Sequence, residues 1–132
     1  VLEMDQLKKF LNPKWMLAIT ALAHGTVGTL VDLDWSDDTS VGNIGFIFLT
    51  SITMLYVAFF TEGEQQGRLT TVIAGPVWIW FMICVSMDLT MINAGEEYVF
   101  RQGQTAMPVV LWGLTALSGI LHGNMKDMFS SQ

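Results

Sequence analysis

His24, Cys84, Met87, Asp88 and Met91 are the side chains of this sequence whose types and spacing could support chemistry in an apolar setting. His24 sits in ALAHGTVGTLVDLDW (21–35), eight residues before Asp32, or about 12 Å at 1.5 Å per helical residue. Asp88 lies four residues before the end of another long apolar run. An ionisable group at membrane depth faces protein or water and is a functional candidate by default. If those two runs are neighbours, a His24 to Asp88 hydrogen bond is feasible.

Four roles compete for the pair. As a metal site, Cys84, Asp88 and Met91 at i, i+4 and i+7 share one helical face, and His24 and Met87 would complete a mixed ligand set. Thiol and thioether donors suit Cu(I), so copper is the cofactor these residue types would take. As a haem site, His24 would need a second axial histidine at its own depth, and His122 stands roughly 12 Å away along the membrane normal. A proton or ion relay is the third role. The plainest is a satisfied polar pair that fixes helix register, with methionine as a flexible gap filler. No HExxH, GxSxG, GxGxxG, P-loop or CxxC motif occurs. The serines and threonines of the apolar runs have no second histidine or carboxylate beside them to activate a hydroxyl.

The elements that must position these residues are long and apolar. Of 132 residues 52% are hydrophobic and 14% charged, and the apolar ones gather into runs rather than short periodic stripes. Stretches long enough for a hydrocarbon core of about 30 Å fall at about 15–31, 44–61, 70–92 and 106–122. The expected fold is therefore an all-α integral membrane protein, one domain over 1–132 with four transmembrane helices. Short connections favour an up-down-up-down bundle with antiparallel neighbours.

Orientation follows from lysine and arginine, which are retained on the cytoplasmic side. Lys8, Lys9, Lys14, Arg68 and Lys126 share one side and Arg101 alone falls on the other. Both termini are thus expected in the cytoplasm, in a multi-pass protein of the cytoplasmic membrane. No small-x-small cleavage site follows the first run, so no cleavable signal peptide is expected. Asp32, Asp34, Asp37, Asp38, Glu96 and Glu97 form an acidic outer face within a net charge of −6, which argues against a nucleic-acid partner. Cys84 is the one cysteine, which excludes a disulfide within the chain.

Helices in lipid associate through small residues that let backbones approach. Ala21, Gly25 and Thr29, with Gly28 alongside, form such a face on the first span. Thr115, Gly119 and Gly123 form another on the fourth. Pro76 removes a backbone donor from the third span, and Trp15 and Trp35 flank the first as interfacial anchors. Glu97 and Arg101, spaced i,i+4, suggest a short surface helix in INAGEEYVFRQ.

DLTMINAGEEYVF (88–100), through Ile92, Asn93, Ala94, Gly95, Glu96, Tyr98 and Phe100, resembles a segment early in the A subunit of archaeal ammonia monooxygenase. There an apolar helix ends in a similar I-N-A-G-acid-x-Y/F pattern. The stretch covers about a tenth of the chain, and the other spans do not align. The resemblance implies a small companion subunit in a copper membrane monooxygenase assembly and transfers no catalytic residue. The His-Gly of the first span is similar to small four-helix proteins of the DoxX-like type. The function expected is a non-catalytic accessory subunit packed in the lipid bilayer against other integral membrane subunits of a larger, oxidative complex. The alternative is a small oligomeric transporter or ion or proton conductor using His24 and Asp88.

Overall fold

The computed structural model describes residues 3–26, 34–93, 96–99 and 106–130, and of residues 39, 40, 43, 44, 46, 90–93, 96–99 and 129 the backbone alone. In chain order these form α1 (Met4–Phe10), α2 (Pro13–Gly25), α3 (Asp38–Phe60), α4 (Gly63–Ser86), β1 (Thr90–Asn93), β2 (Glu96–Val99), α5 (Ala106–His122) and α6 (Met125–Ser130). Apart from one short hairpin, the described chain is helical.

Local chemistry sets the helix ends. Asn12 starts α2: its side-chain oxygen accepts from the Lys14 N–H at 3.0 Å, and Pro13 occupies the first helical position, where no amide hydrogen is needed. Before α3, Asp34 Oδ1 accepts from both the backbone N–H and the hydroxyl of Ser36, closing a turn. Only Thr61 and Glu62 separate α3 from α4, and Gly63 makes that reversal with φ +60°, a value that carries no Cβ penalty in glycine.

The end of α4 departs from the expected span of 70–92. Asp88 takes φ 51°, its N–H reaches Val85 O at 3.5 Å, and the Leu89 N–H reaches Cys84 O at 2.9 Å. That paired 6→1 and 5→2 pattern is a Schellman stop, here with aspartate rather than glycine in the left-handed position. The helix therefore ends at Ser86, and residues expected to continue it turn into strand. β1 and β2 pair antiparallel with Asn93 opposite Glu96 and Thr90 opposite Val99. Where a surface helix through INAGEEYVFRQ was expected, residues 90–93 and 96–99 pair as strands; Ala94, Gly95, Phe100, Arg101 and Gln102 lie outside the described residues.

The four longer helices pack antiparallel to their chain neighbours. Thr71 and Gly67 near the start of α4 meet Gly119 and Gly123 near the end of α5, while Trp78 meets Gly113. The Gly25 end of α2 meets Ser51 of α3, and Trp15 packs edge-on to Phe59 with centroids 6.5 Å apart. α4 has its most extensive contact with α5, and α2 with α3; α2 also lies against α5. The up-down-up-down order is that expected.

The four-crossing reading meets a narrower finding. By length and composition one described helix, α4, suffices to cross a membrane, and 22% of its most apolar stretch is buried within the protein. The apolar part of α3 covers Ile47–Phe60 and α5 covers Ala106–His122. The 17 residues of α5 rise about 26 Å, short of a hydrocarbon core of about 30 Å. Residues 27–31 of the first expected span lie outside the described residues.

Candidate functional site

The residues singled out for chemistry do not converge. His24 is half-buried on α2, its ring edge-on to Trp112 of α5 with centroids 5.3 Å apart and planes at 90°. Because Gly113, next to Trp112, lies under Trp78, His24 sits at the level of residues 78–79 of α4. Asp88 is nine or ten residues further along, roughly 14 Å up the axis, exposed and beyond the end of the helix. The His24 to Asp88 hydrogen bond expected as feasible is thus out of reach.

The mixed ligand set fails for the same reason. Cys84 is buried in the core, Met87 is exposed at the helix cap, Asp88 is in the turn and Met91 is in β1. A shared face at i, i+4 and i+7 would require a helix through Met91, and the helix stops five residues earlier at Ser86. Among the described residues no three His, Cys, Asp or Glu side chains gather around one point.

What does converge is a set of hydroxyls within an otherwise apolar core. The largest fully buried side chains include Thr20, Thr70, Thr115 and Ser118 beside Trp112, Leu17 and Met54. Thr115 donates to Leu111 O at 2.8 Å, so the 2.7 Å contact between the Thr20 and Thr115 hydroxyls has Thr20 as donor and joins α2 to α5. Thr70, Thr71 and Ser118 donate to carbonyls of their own helices, the usual use of a hydroxyl within an apolar helix. Ser51 Oγ is buried, without a hydrogen-bond partner, and faces Gly25. No hydroxyl in this set is paired with a histidine or carboxylate base.

The described members of the two small-residue faces lie at helix contacts. Ala21 and Gly25 are buried, and a Cβ on Gly25 would come within 3.1 Å of Ser51 Oγ. Gly28 and Thr29 lie outside the described residues. A Cβ on Gly119 would stand 2.7 Å from the Thr71 backbone nitrogen, and one on Gly67 would stand 2.6 Å from that of Gly123. Thus α4 answers the Thr115, Gly119 and Gly123 face with Gly67 and Thr71. That half of the seam was present in the sequence at the same spacing of four.

Two α4 side chains that sequence reasoning passed over fasten the basic end of the bundle. Gln66, buried, donates through Nε2 to the carbonyls of Val57, Ala58 and Thr61 at 3.1, 2.9 and 2.8 Å. It thereby caps α3, whose last carbonyls have no helical N–H to accept from. Arg68 does the same for α5: Nε donates to Gly123 O at 2.8 Å, and the guanidinium also pairs with Glu64 at 3.3 Å. Glu64 in turn accepts from Asn124 Nδ2 at 3.1 Å. His122 approaches Ser118 O at 2.9 Å through Nδ1; a carbonyl can only accept, so Nδ1 carries the proton.

Two depressions open at this end. One, of about 320 Å³, lies between the α2 start and the α4 start, with Asn12, Gln66 and His122 on its walls. The other, of about 630 Å³, runs between α1, the end of α5 and the start of α6. Basic Lys8 and Lys126 both line the latter, which places them on the side of Arg68 as the charge pattern requires. At the opposite end stand Asp34, Asp37 and Asp38, and there Ser36 holds the Asp34 carboxyl below its usual range through its hydroxyl and its N–H. No family model, curated protein or solved structure matches this chain.

Proposed function

We propose that the chain is a membrane-embedded four-helix bundle that acts as a non-catalytic accessory subunit, packed against other integral membrane subunits of a larger complex. The observation that carries this reading is the run of large apolar side chains left on the outside of the bundle. Around an apolar core that also holds Thr20, Ser51, Gln66, Thr70, Thr115 and Ser118, Leu49, Tyr56 and Phe60 on α3, Val72 and Ile79 on α4 and Val110 and Ile120 on α5 are exposed. A water-soluble bundle places its large apolar side chains inside; helices in lipid leave them outside and use small and hydroxyl residues at their contacts.

The four crossings are the apolar run 15–31, whose described part is α2, then α3, α4 and α5. The gathering of five basic residues at one end supports cytoplasmic termini. Lys14 over the rings of Trp15 and Phe59, at 5.6 and 5.3 Å, supports an interface at that level. An accessory role, rather than a transport or catalytic one, is supported by the separation of His24 from Asp88 and by hydroxyls already bonded within the bundle. The resemblance of residues 88–100 is the reason for naming an oxidative, copper-dependent host.

The test is purification of the tagged chain from its own membranes in mild detergent. Larger integral membrane polypeptides in fixed ratio support the proposal. A homo-oligomer whose reconstituted vesicles show pH-dependent flux would replace it with the transporter reading.

A further inference from the structure

We propose that the groove between α1, the end of α5 and α6 binds one anionic phospholipid, its phosphate between Lys8 and Lys126 and an acyl chain along α5. The inference rests on the membrane reading above and adds a ligand to it.

The groove, about 630 Å³, has a charged half and an aliphatic half. Lys8 and Lys126 are exposed on its walls. Among the described residues the one ion pair is Arg68 with Glu64, so both ammonium groups lack a carboxylate partner there. Glu64 also lines the groove, but its two oxygens accept from Arg68 and from Asn124. Asp127, the acid on α6, accepts from the same Asn124 amide at 2.6 Å. The groove therefore presents two uncompensated positive charges and one neutralised negative one.

The other half explains why the anion should be a lipid. Ile120 lines the groove and is exposed. Above it on α5, Leu117, Leu114 and Val110 are exposed too, at steps of three and four, which places them on one face of the helix. This stripe rises about 15 Å from the groove along most of α5. A positive seat at the foot of an aliphatic stripe fits an amphiphile with a phosphate at one end; inorganic phosphate would leave the stripe unused. On the aqueous side α1 has no buried residue, and Met4 and Phe10 are exposed. That exposure suits a helix lying in the headgroup layer.

The experiment titrates the full chain, purified in detergent, with dioleoylphosphatidylglycerol, dioleoylphosphatidylcholine or inorganic phosphate and follows adducts by native mass spectrometry. Phosphatidylglycerol should bind more tightly than phosphatidylcholine. Near a membrane surface each lysine contributes about fivefold, so the Lys8→Gln/Lys126→Gln double variant should bind it roughly 30-fold more weakly. Lys9→Gln, outside the groove, should leave binding unchanged. Equal binding of the two lipids, an unaffected double variant, or displacement of the lipid by millimolar inorganic phosphate would overturn the proposal. Alkaline carbonate extraction separates the two layers of inference. Protein released from membranes sinks the membrane reading and this site with it, whereas protein retained without phosphatidylglycerol preference sinks the site alone.

Discussion

Replacing Gln66 by leucine isolates the value of one amide at the foot of the bundle. The side chain is 7% exposed and answers three carbonyls of α3 and its cap. Val57 O keeps a second donor, the Thr61 hydroxyl at 2.6 Å, so the substitution orphans two acceptors, Ala58 O and Thr61 O. Each buried acceptor left unmade costs about 1–3 kcal/mol. Leucine is of similar size and more apolar, which offsets part of this, so a net loss of about 2–4 kcal/mol is expected. The assay is unfolding in mixed micelles followed by tryptophan fluorescence, with Gln65→Leu as control because Gln65 is exposed on the same turn. An exposed substitution should stay within about 0.5 kcal/mol of wild type. If the two variants unfold together, Gln66 is not the cap of α3 and the argument fails.

Gly119→Ala should lower stability by about 1–3 kcal/mol, since its methyl would collide with backbone atoms of Thr71 and Gly67. Gly75→Ala, whose methyl meets nothing closer than Thr71 Cγ2 at 4.0 Å, should be neutral or slightly stabilising in the same micelle assay. A double-mutant cycle of Thr20→Val and Thr115→Val should return a coupling of about 0.6 kcal/mol and not above about 1.7; zero coupling would remove that bond from the α2 to α5 contact. Ser36 holds the Asp34 carboxyl below its ordinary value, the hydroxyl contributing most. A depressed carboxylate stabilises the fold above its unfolded pKa, and that contribution is lost as pH falls through the folded value. Ser36→Ala should therefore move the Asp34 titration, read by carboxyl NMR, upward toward 3.8.

The order of long helices was legible because apolar runs and the spacing of small residues are properties of local sequence. The same spacing identified Ala21, Gly25, Thr115 and Gly119 as contact positions. The stop at Ser86 was not legible: Val85 to Ile92 is apolar apart from Ser86, Asp88 and Thr90, and nothing in composition distinguishes a helix that continues from one that ends with aspartate in a left-handed turn. That single φ value moved Asp88 out of the helix and separated Cys84 from Met91. Gln66 and Arg68 were missed for another reason. Their partners are carbonyls, which every residue carries, so no pairing of side-chain types announces them. Partners separated by 55 residues, as with Arg68 and Gly123, become visible only in three dimensions.

Gln66 and Arg68 stand two residues apart, so the first turns of α4 fasten the tails of both neighbouring helices. The contacts differ in reach: Gln66 finds α3 eight or nine residues back, while Arg68 waits for a carbonyl 55 residues ahead. As the polypeptide leaves the ribosome, the α3 and α4 pair can close as a unit before α5 has been made. The second contact can form only once α5 has been made, so the same two turns of α4 join a partner already synthesised to one still to come.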